Sequence, residues 1–285
     1  MVYPIIDQIF GKWISWQGKL RLAGDDACRP LFEPGPYAMV YEVLRVVDGL
    51  PLFWEDHMLR MERSLQAGKH LPDSLLAESM ALISKNEARF ANLRIVLADD
   101  WRVLHLTPSH YPDQITKEKG ILTGLLQWER ENPNIKSIRP DYKAAVAKKF
   151  AQEGPYGTYY ELLLTDRQQY LTEGSRSNLF FIKDQVVYSA HDSKILLGIT
   201  RKHVRQAITA SGSVLAEKML TLDDVRSGAA DAAFITSSPI DILAIRAIED
   251  LKLSSAVNPL LKKIDQAYQA IVKTYLASRS PGHTL

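Results

Sequence analysis

With 285 residues, 46% hydrophobic and 24% charged, the chain has the make-up of an ordinary globular protein long enough for two cores. A net charge of +2 from 35 basic and 33 acidic side chains gives no electrostatic reason to expect nucleic acid or an anionic membrane surface as a partner. One cysteine, Cys28, excludes an intramolecular disulfide and a cysteine-built metal site, and no metal is expected. No apolar run is long enough to span a bilayer and no signal-like segment opens the chain, so a reducing cytoplasm is the expected location.

The predicted elements begin with a β-branched strand over Val40 to Val47, a two-residue turn at Asp48-Gly49 and a return over Pro51 to Trp54. Asp56 is expected to cap a helix carrying Met58, Met61 and Leu65, and a second helix is expected over Leu75 to Lys85. Leu93 to Leu97 and Val103 to Leu106 read as a strand pair. The Pro-containing, weakly apolar stretch Thr107 to Gln114 reads as a linker, placed within 107–119. It separates a small N-terminal domain, 1–113, from a larger one, 120–285. The second domain is expected to hold a strand over Ile121 to Trp128 and a helix over Tyr142 to Gln152. Two hairpins follow: Glu161 to Leu164 with Tyr170 to Thr172, and Leu179 to Ile182 with Val186 to Tyr188. Beyond them come a helix from Thr200, a buried strand over Ala232 to Thr236 and a closing helix over Pro259 to Leu276. That helix aligns Leu260, Ile264, Ala267, Ile271 and Tyr275 on one face. Mixed hairpins and helices indicate an α+β fold, not a doubly wound parallel sheet.

Chemistry concentrates in Tyr170-Leu-Thr-Glu-Gly-Ser-Arg-Ser-Asn178, where Glu173 sits among small hydrogen-bonding residues at the turn between two strands. Upstream lies Lys136 in Asn-Pro-Asn-Ile-Lys-Ser, and downstream Gly198-Ile-Thr-Arg201 opens a helix. A lysine, an acid and a helix start with a hydroxyl are the parts that hold pyridoxal 5'-phosphate by its carbonyl carbon, ring nitrogen and phosphate. Lys143 is the local alternative to Lys136.

Val40-Tyr-Glu-Val-Leu-Arg45, His57-Met-Leu-Arg60, Lys136, Thr172-Glu-Gly-Ser-Arg-Ser-Asn178 and Leu197-Gly-Ile-Thr-Arg201 stand in the order seen in class IV aminotransferases. The resemblance runs from about Gly35 to Ile242. It implies a two-domain fold type IV pyridoxal-phosphate enzyme, with a smaller α/β N-terminal domain, a larger pseudo-barrel domain and a homodimeric assembly. By this resemblance Lys136 and Glu173 are catalytic. Arg60, Ile199, Thr200 and one of Ser237 and Ser238 hold the phosphate, while Tyr142 lies near the phenolic oxygen. Tyr41 and Arg94 match substrate-carboxylate positions, and His57 is read as structural. The 37 positions from Lys136 to Glu173 imply an insertion near Gly154 to Thr158. The D-amino-acid members carry an Arg-x-His pair before Phe-Pro, but Thr107-Pro108-Ser109 precede His110-Tyr111-Pro112 here, so specificity built on that pair is not expected. The implied activity is transfer of an amino group between an amino acid, branched-chain-like among the options, and a 2-oxo acid. An aminodeoxychorismate lyase giving 4-aminobenzoate and pyruvate, and a non-catalytic cofactor-binding relative, are the alternatives.

Overall fold

The computed structural model describes residues 3–35, 39–65, 69–98, 101–109, 111–131, 133–134, 136 and 139–279. The fold is α+β, and the chain divides into two compact units: residues 1–110, 135–141 and 275–285, and residues 111–134 and 142–274.

The first unit is built on a six-stranded antiparallel sheet. Its strands are β1 (Trp13–Trp16), β2 (Lys19–Leu22), β3 (Met39–Val47), β4 (Leu50–Pro51), β5 (Phe90–Ala98) and β6 (Trp101–Thr107), in the spatial order β2-β1-β6-β5-β3-β4. Side chains alternate across it. Leu44, Val46, Leu93, Ile95, Leu104 and Leu106 pack beneath helices α1 (Trp54–Arg63) and α2 (Leu75–Lys85). Met39, Val96, Ala98 and Val103 face the other way and are covered by Ile5, Ile6, Cys28 and Leu31. The turn at Asp48-Gly49 has both residues at positive φ, 49° and 81°, which suits the twist of a tight hairpin. Asp56 does not cap α1. The helix starts two residues earlier, after a left-handed Phe53, and the Trp54 N–H is met by the Tyr275 hydroxyl at 2.9 Å.

The second unit carries α3 (Gln114–Lys119), β7 (Ile121–Gln127) and most of α4 (Pro140–Phe150). α3 falls inside the stretch expected to be a linker, because Asp113 accepts from the Thr116 N–H and caps it. A separate two-stranded hairpin, β8 (Glu153–Gly154) with β9 (Gly157–Thr158), occupies the expected insertion. Then follow β10 (Glu161–Thr165), β11 (Tyr170–Gly174), β12 (Asn178–Lys183), β13 (Val186–Ser189), α5 (Ile199–Ala210), β14 (Val214–Glu217), β15 (Leu220–Thr221), α6 (Leu222–Asp224), β16 (Ala232–Ser237), β17 (Asp241–Ile248), β18 (Leu251–Lys252) and α7 (Pro259–Ala277). On α7 the buried residues are Leu260, Leu261, Ile264, Tyr268 and Val272, so the apolar face is rotated from the predicted one and Ala267 and Ile271 stand at its margin.

Ten of these strands form one mixed sheet, ordered β14-β13-β12-β16-β17-β7-β10-β11-β15 with β18 beside β17. β11 and β12 are five strand spacings apart along that order, about 24 Å in a flat sheet. Only Ser175, Arg176 and Ser177 join them, a span of at most about 14 Å. The sheet therefore curls, and the Gly174 N–H reaches the Ser177 carbonyl at 2.8 Å across the join. A Cβ on Gly174 would lie 2.0 Å from Ser177 Oγ, so the close approach requires glycine.

His105, on β6 and fully buried, has neither ring nitrogen partnered among the described residues. Burial, with Arg94 adding to it against Asp7, pushes its pKa down to about 3. The unfolded chain takes up a proton below pH about 6.5 that the native state refuses, so stability falls with pH across that window, from about 6.5 toward 3. His105→Gln should reduce the acid-side slope of unfolding free energy by about 1.4 kcal/mol per pH unit. Urea titrations at pH 7, 6 and 5 measure it, and an unchanged slope would mean that His105 titrates normally in the fold.

Candidate active site

In the first unit, β3 places Tyr41 and Glu42 on opposite faces of the sheet. On the helix side, His57 and Arg60 lie three residues apart on α1 and converge on Glu42. The Arg60 Nε donates to Glu42 Oε1 at 2.7 Å, Arg60 Nη2 donates to Oε2 at 2.6 Å, and His57 Nδ1 lies 2.7 Å from Oε2. Burial alone would raise the Glu42 pKa, but Arg60 and the His57 hydrogen bond hold it well below the usual carboxylate range. Burial also pushes His57 down, against the Glu42 contact. The arrangement is therefore an ionised Glu42, a neutral His57 donating from Nδ1, and a charged Arg60. Nothing local in the sequence assigns Glu42 a role as the partner of His57 and Arg60.

On the opposite face, Arg94 donates from Nη1 to Asp7, which also accepts from the Tyr3 hydroxyl. The Arg94 guanidinium lies 5.1 Å from the Tyr41 ring centroid, and Lys136 Nζ lies 5.3 Å from the same ring. The Tyr41 N–H donates to the Lys136 carbonyl at 3.4 Å. Lys136 thus lies beside β3, with its Nζ near the ring of Tyr41. Asp7, the counter-ion of Arg94, lies far away in sequence and carries no local signal. His110 and the lysine's neighbours Ile135, Ser137 and Ile138 lie outside the described residues.

In the second unit, Glu173 on β11 is 2% exposed. Its Oε1 accepts from Arg130 Nε at 2.6 Å and its Oε2 from the Leu196 N–H at 3.1 Å. Asn178, at the start of β12, donates from its side chain to the Leu196 carbonyl at 2.7 Å. Both ends of the Glu173–Asn178 segment therefore hold the loop that leads into α5. Gly198 precedes that helix in extended conformation, and a Cβ there would lie 2.2 Å from Asn178 Oδ1. No side chain caps α5, which leaves the N–H groups of its first turn, at Ile199 and Thr200, oriented for an anion. Thr200 is buried, and its Oγ1 lies 3.4 Å from Ser238 Oγ. Ser237 ends β16 opposite Asp241, so Ser238 is the serine that meets Thr200. Thr236 on the same strand has a buried hydroxyl without a partner among the described residues. Tyr142 on α4 donates to the Ser175 carbonyl at 2.7 Å, and its ring lies 5.3 Å from the Arg130 guanidinium and 5.2 Å from Trp128. The turn itself is fixed by Glu161, 2% exposed, which accepts from Ser175 and Ser177. A cavity of about 220 Å³ borders Glu173 and Arg130, lined also by Trp128, Leu164, Thr172 and Lys194.

The donor set of the second unit fits a phosphorylated pyridine. It offers uncapped helix N–H groups and two hydroxyls for a phosphate, and a buried carboxylate for a ring nitrogen. Both are tied to one loop. The amino-transferase class IV family profile matches residues 39–248. A D-alanine aminotransferase of Bacillus licheniformis is 30% identical over 81% of this chain and 86% of its own length. A branched-chain-amino-acid aminotransferase of Pseudomonas aeruginosa is 29% identical over 61% of this chain, a match spanning 57% of that protein. Among solved structures, a hypothetical aminotransferase from Mycobacterium tuberculosis, in its form with alpha-ketoglutarate and PMP bound, shares the fold. Its TM-score is 0.74 at 14% identity, over 92% of this chain and 99% of that one. The chain belongs to the class IV aminotransferase family and is an enzyme of that family. Among the described residues no helix is long and apolar enough to cross a membrane.

Glu42→Gln removes the charge that compensates Arg60 inside the fold. It should cost about 3 kcal/mol of stability, as expected for breaking a buried pair. Urea denaturation at pH 7 checks this, and a loss below about 1 kcal/mol would reduce the contact to a surface-like pair.

Proposed function

We propose that the chain is a pyridoxal 5'-phosphate aminotransferase that moves an amino group between an amino acid and a 2-oxo acid. One observation carries this reading. Glu173 accepts from the N–H of Leu196, two residues before the Gly198 that opens α5. The acid suited to a ring nitrogen and the helix start suited to a phosphate are thus locked at a fixed spacing within one unit.

When bound, the cofactor supplies an electron sink that stabilises negative charge at the substrate Cα. The remaining work belongs to the protein. Glu173, kept ionised, holds the proton on the ring nitrogen. The α5 N-terminus with Thr200 and Ser238 grips the phosphate, and Arg60, anchored by Glu42, is the matched arginine for the same group. Lys136 would hold the cofactor, and its freed Nζ would be the base that moves the proton lost from the substrate Cα. Tyr41 and Arg94 orient the substrate carboxylate. Tyr142, matched to the phenolic oxygen, lies beside the Ser175 turn. Branched-chain amino acids with 2-oxoglutarate are the first pair to test. The Pseudomonas aeruginosa relative carries the first name, and the Mycobacterium tuberculosis structure holds the second compound. D-alanine is the next donor, from the relative at 30% identity. A homodimer in the cytoplasm and the division into domains 1–113 and 120–285 complete the reading.

Amine transfer is assayed across L- and D-amino acids, with pyruvate release from aminodeoxychorismate as a parallel arm. Lys136→Ala should lower turnover roughly a hundred- to ten-thousand-fold. Loss in Lys143→Ala instead would move the assignment, and pyruvate release without amine transfer would replace the transferase by the lyase. Arg60→Ala should weaken cofactor affinity by about 1.5–3 kcal/mol, the scale of a charged hydrogen bond, measured by fluorescence titration. Unchanged affinity would remove Arg60 from the phosphate site.

A further inference from the structure

Glu173 faces a difficulty that its own position creates. A carboxylate this deeply buried is costly to ionise, and desolvation favours its neutral form. A neutral Glu173 would leave a bound pyridine ring without a counter-ion for its proton. The structure places a cation on it: Arg130, three residues beyond β7, donates from Nε to Glu173 Oε1 at 2.6 Å.

Arg130 is itself held. Its guanidinium lies 5.3 Å from the Tyr142 ring centroid, and Tyr142 packs on Trp128 at 5.2 Å with its rings tilted by 51°. The Tyr142 hydroxyl is in turn committed to the Ser175 carbonyl at 2.7 Å, in the turn two residues after Glu173. Arg130, Tyr142, Ser175 and Glu173 thus close a ring through side-chain contacts and the Glu173–Ser175 turn, with Trp128 packed on Tyr142. The arginine side chain is 21% exposed and the glutamate 3%, so solvent screens the pair little.

We infer that Arg130 is a positioning residue for the proposed reaction: by pairing with Glu173 it fixes that carboxylate in its ionised form and orientation, and so decides that the shared proton resides on the cofactor ring nitrogen. The inference rests on the reading of Glu173 as the partner of that nitrogen. The role assigned to Arg130 is exercised on Glu173, not on the substrate or the reacting atoms.

The test uses holoenzyme reconstituted with pyridoxal 5'-phosphate labelled with ¹⁵N in the ring, and reads the nitrogen's protonation by NMR. In the wild type the signal should lie in the pyridinium range. Arg130→Met, and Arg130→Gln where the methionine variant does not fold, should shift it toward neutral pyridine. A second readout is the ratio of dissociation constants for the cofactor and its 1-deaza analogue, which lacks the ring nitrogen. The wild-type preference for the cofactor should fall at least tenfold in either variant, whereas general loosening of the site would weaken both ligands alike. Glu173→Gln separates the two claims. If it shifts the nitrogen signal and the Arg130 variants leave both signal and ratio unchanged, the inference about Arg130 is overturned and the functional reading stands. If Glu173→Gln also leaves the signal unchanged, the reading of Glu173 fails and takes the inference with it.

Discussion

Three residues, Ser175 to Ser177, must join two strands that lie five places apart in the sheet order. That is possible only if the ten-stranded sheet curls, and the rest of the site follows from the curl. The join brings the end of β11, with Glu173, beside the start of β12, with Asn178. From there both side chains reach the loop that starts α5. Glu161 fastens the turn by accepting from its two serines, so one buried acid holds the turn that carries the other, Glu173. A longer connection would relax the curl and let the carboxylate and the helix start drift apart.

A second regularity is that the charges singled out by their chemistry stand in pairs within the protein. Arg60 leans on Glu42, Arg94 on Asp7, and Glu173 on Arg130. Such pairs are not a large source of stability, because desolvation cancels much of the Coulombic gain. Their effect is to fix side chains in one geometry, which is what an electrostatic site needs, since donors that must reorganise during the reaction stabilise charge less well. Pairing also costs affinity for a ligand of the same sign as the partner. Arg60 uses two donors on Glu42, and any phosphate contact competes with that acid.

Much of this is legible in the sequence. Strands such as Val40 to Val47 and helices such as Leu75 to Lys85 announce themselves through periodicity and turn residues. The Thr172–Asn178 segment marks the turn because small hydroxyl residues and a glycine are what so close a join tolerates. What escapes is what depends on distant partners. β1 and β2 are strands of only four residues each, too short for a two-residue period to stand out in the sequence. Asp56 looks like a cap, but the Tyr275 hydroxyl, over two hundred residues away, supplies the contact at the helix start. Glu42, Asp7 and Arg130 are ordinary charges by sequence and gain their partners only when the fold sets them against His57 and Arg60, Arg94 and Glu173.

The proposed chemistry turns on Lys136 carrying pyridoxal 5'-phosphate. The most direct measurement is an absorbance spectrum of the purified protein before and after borohydride reduction, followed by peptide mapping. A visible band that borohydride abolishes is expected, with the fixed cofactor recovered on the peptide containing Lys136. A protein that stays colourless and takes up no added cofactor, or a fixed adduct found on Lys143, would contradict it.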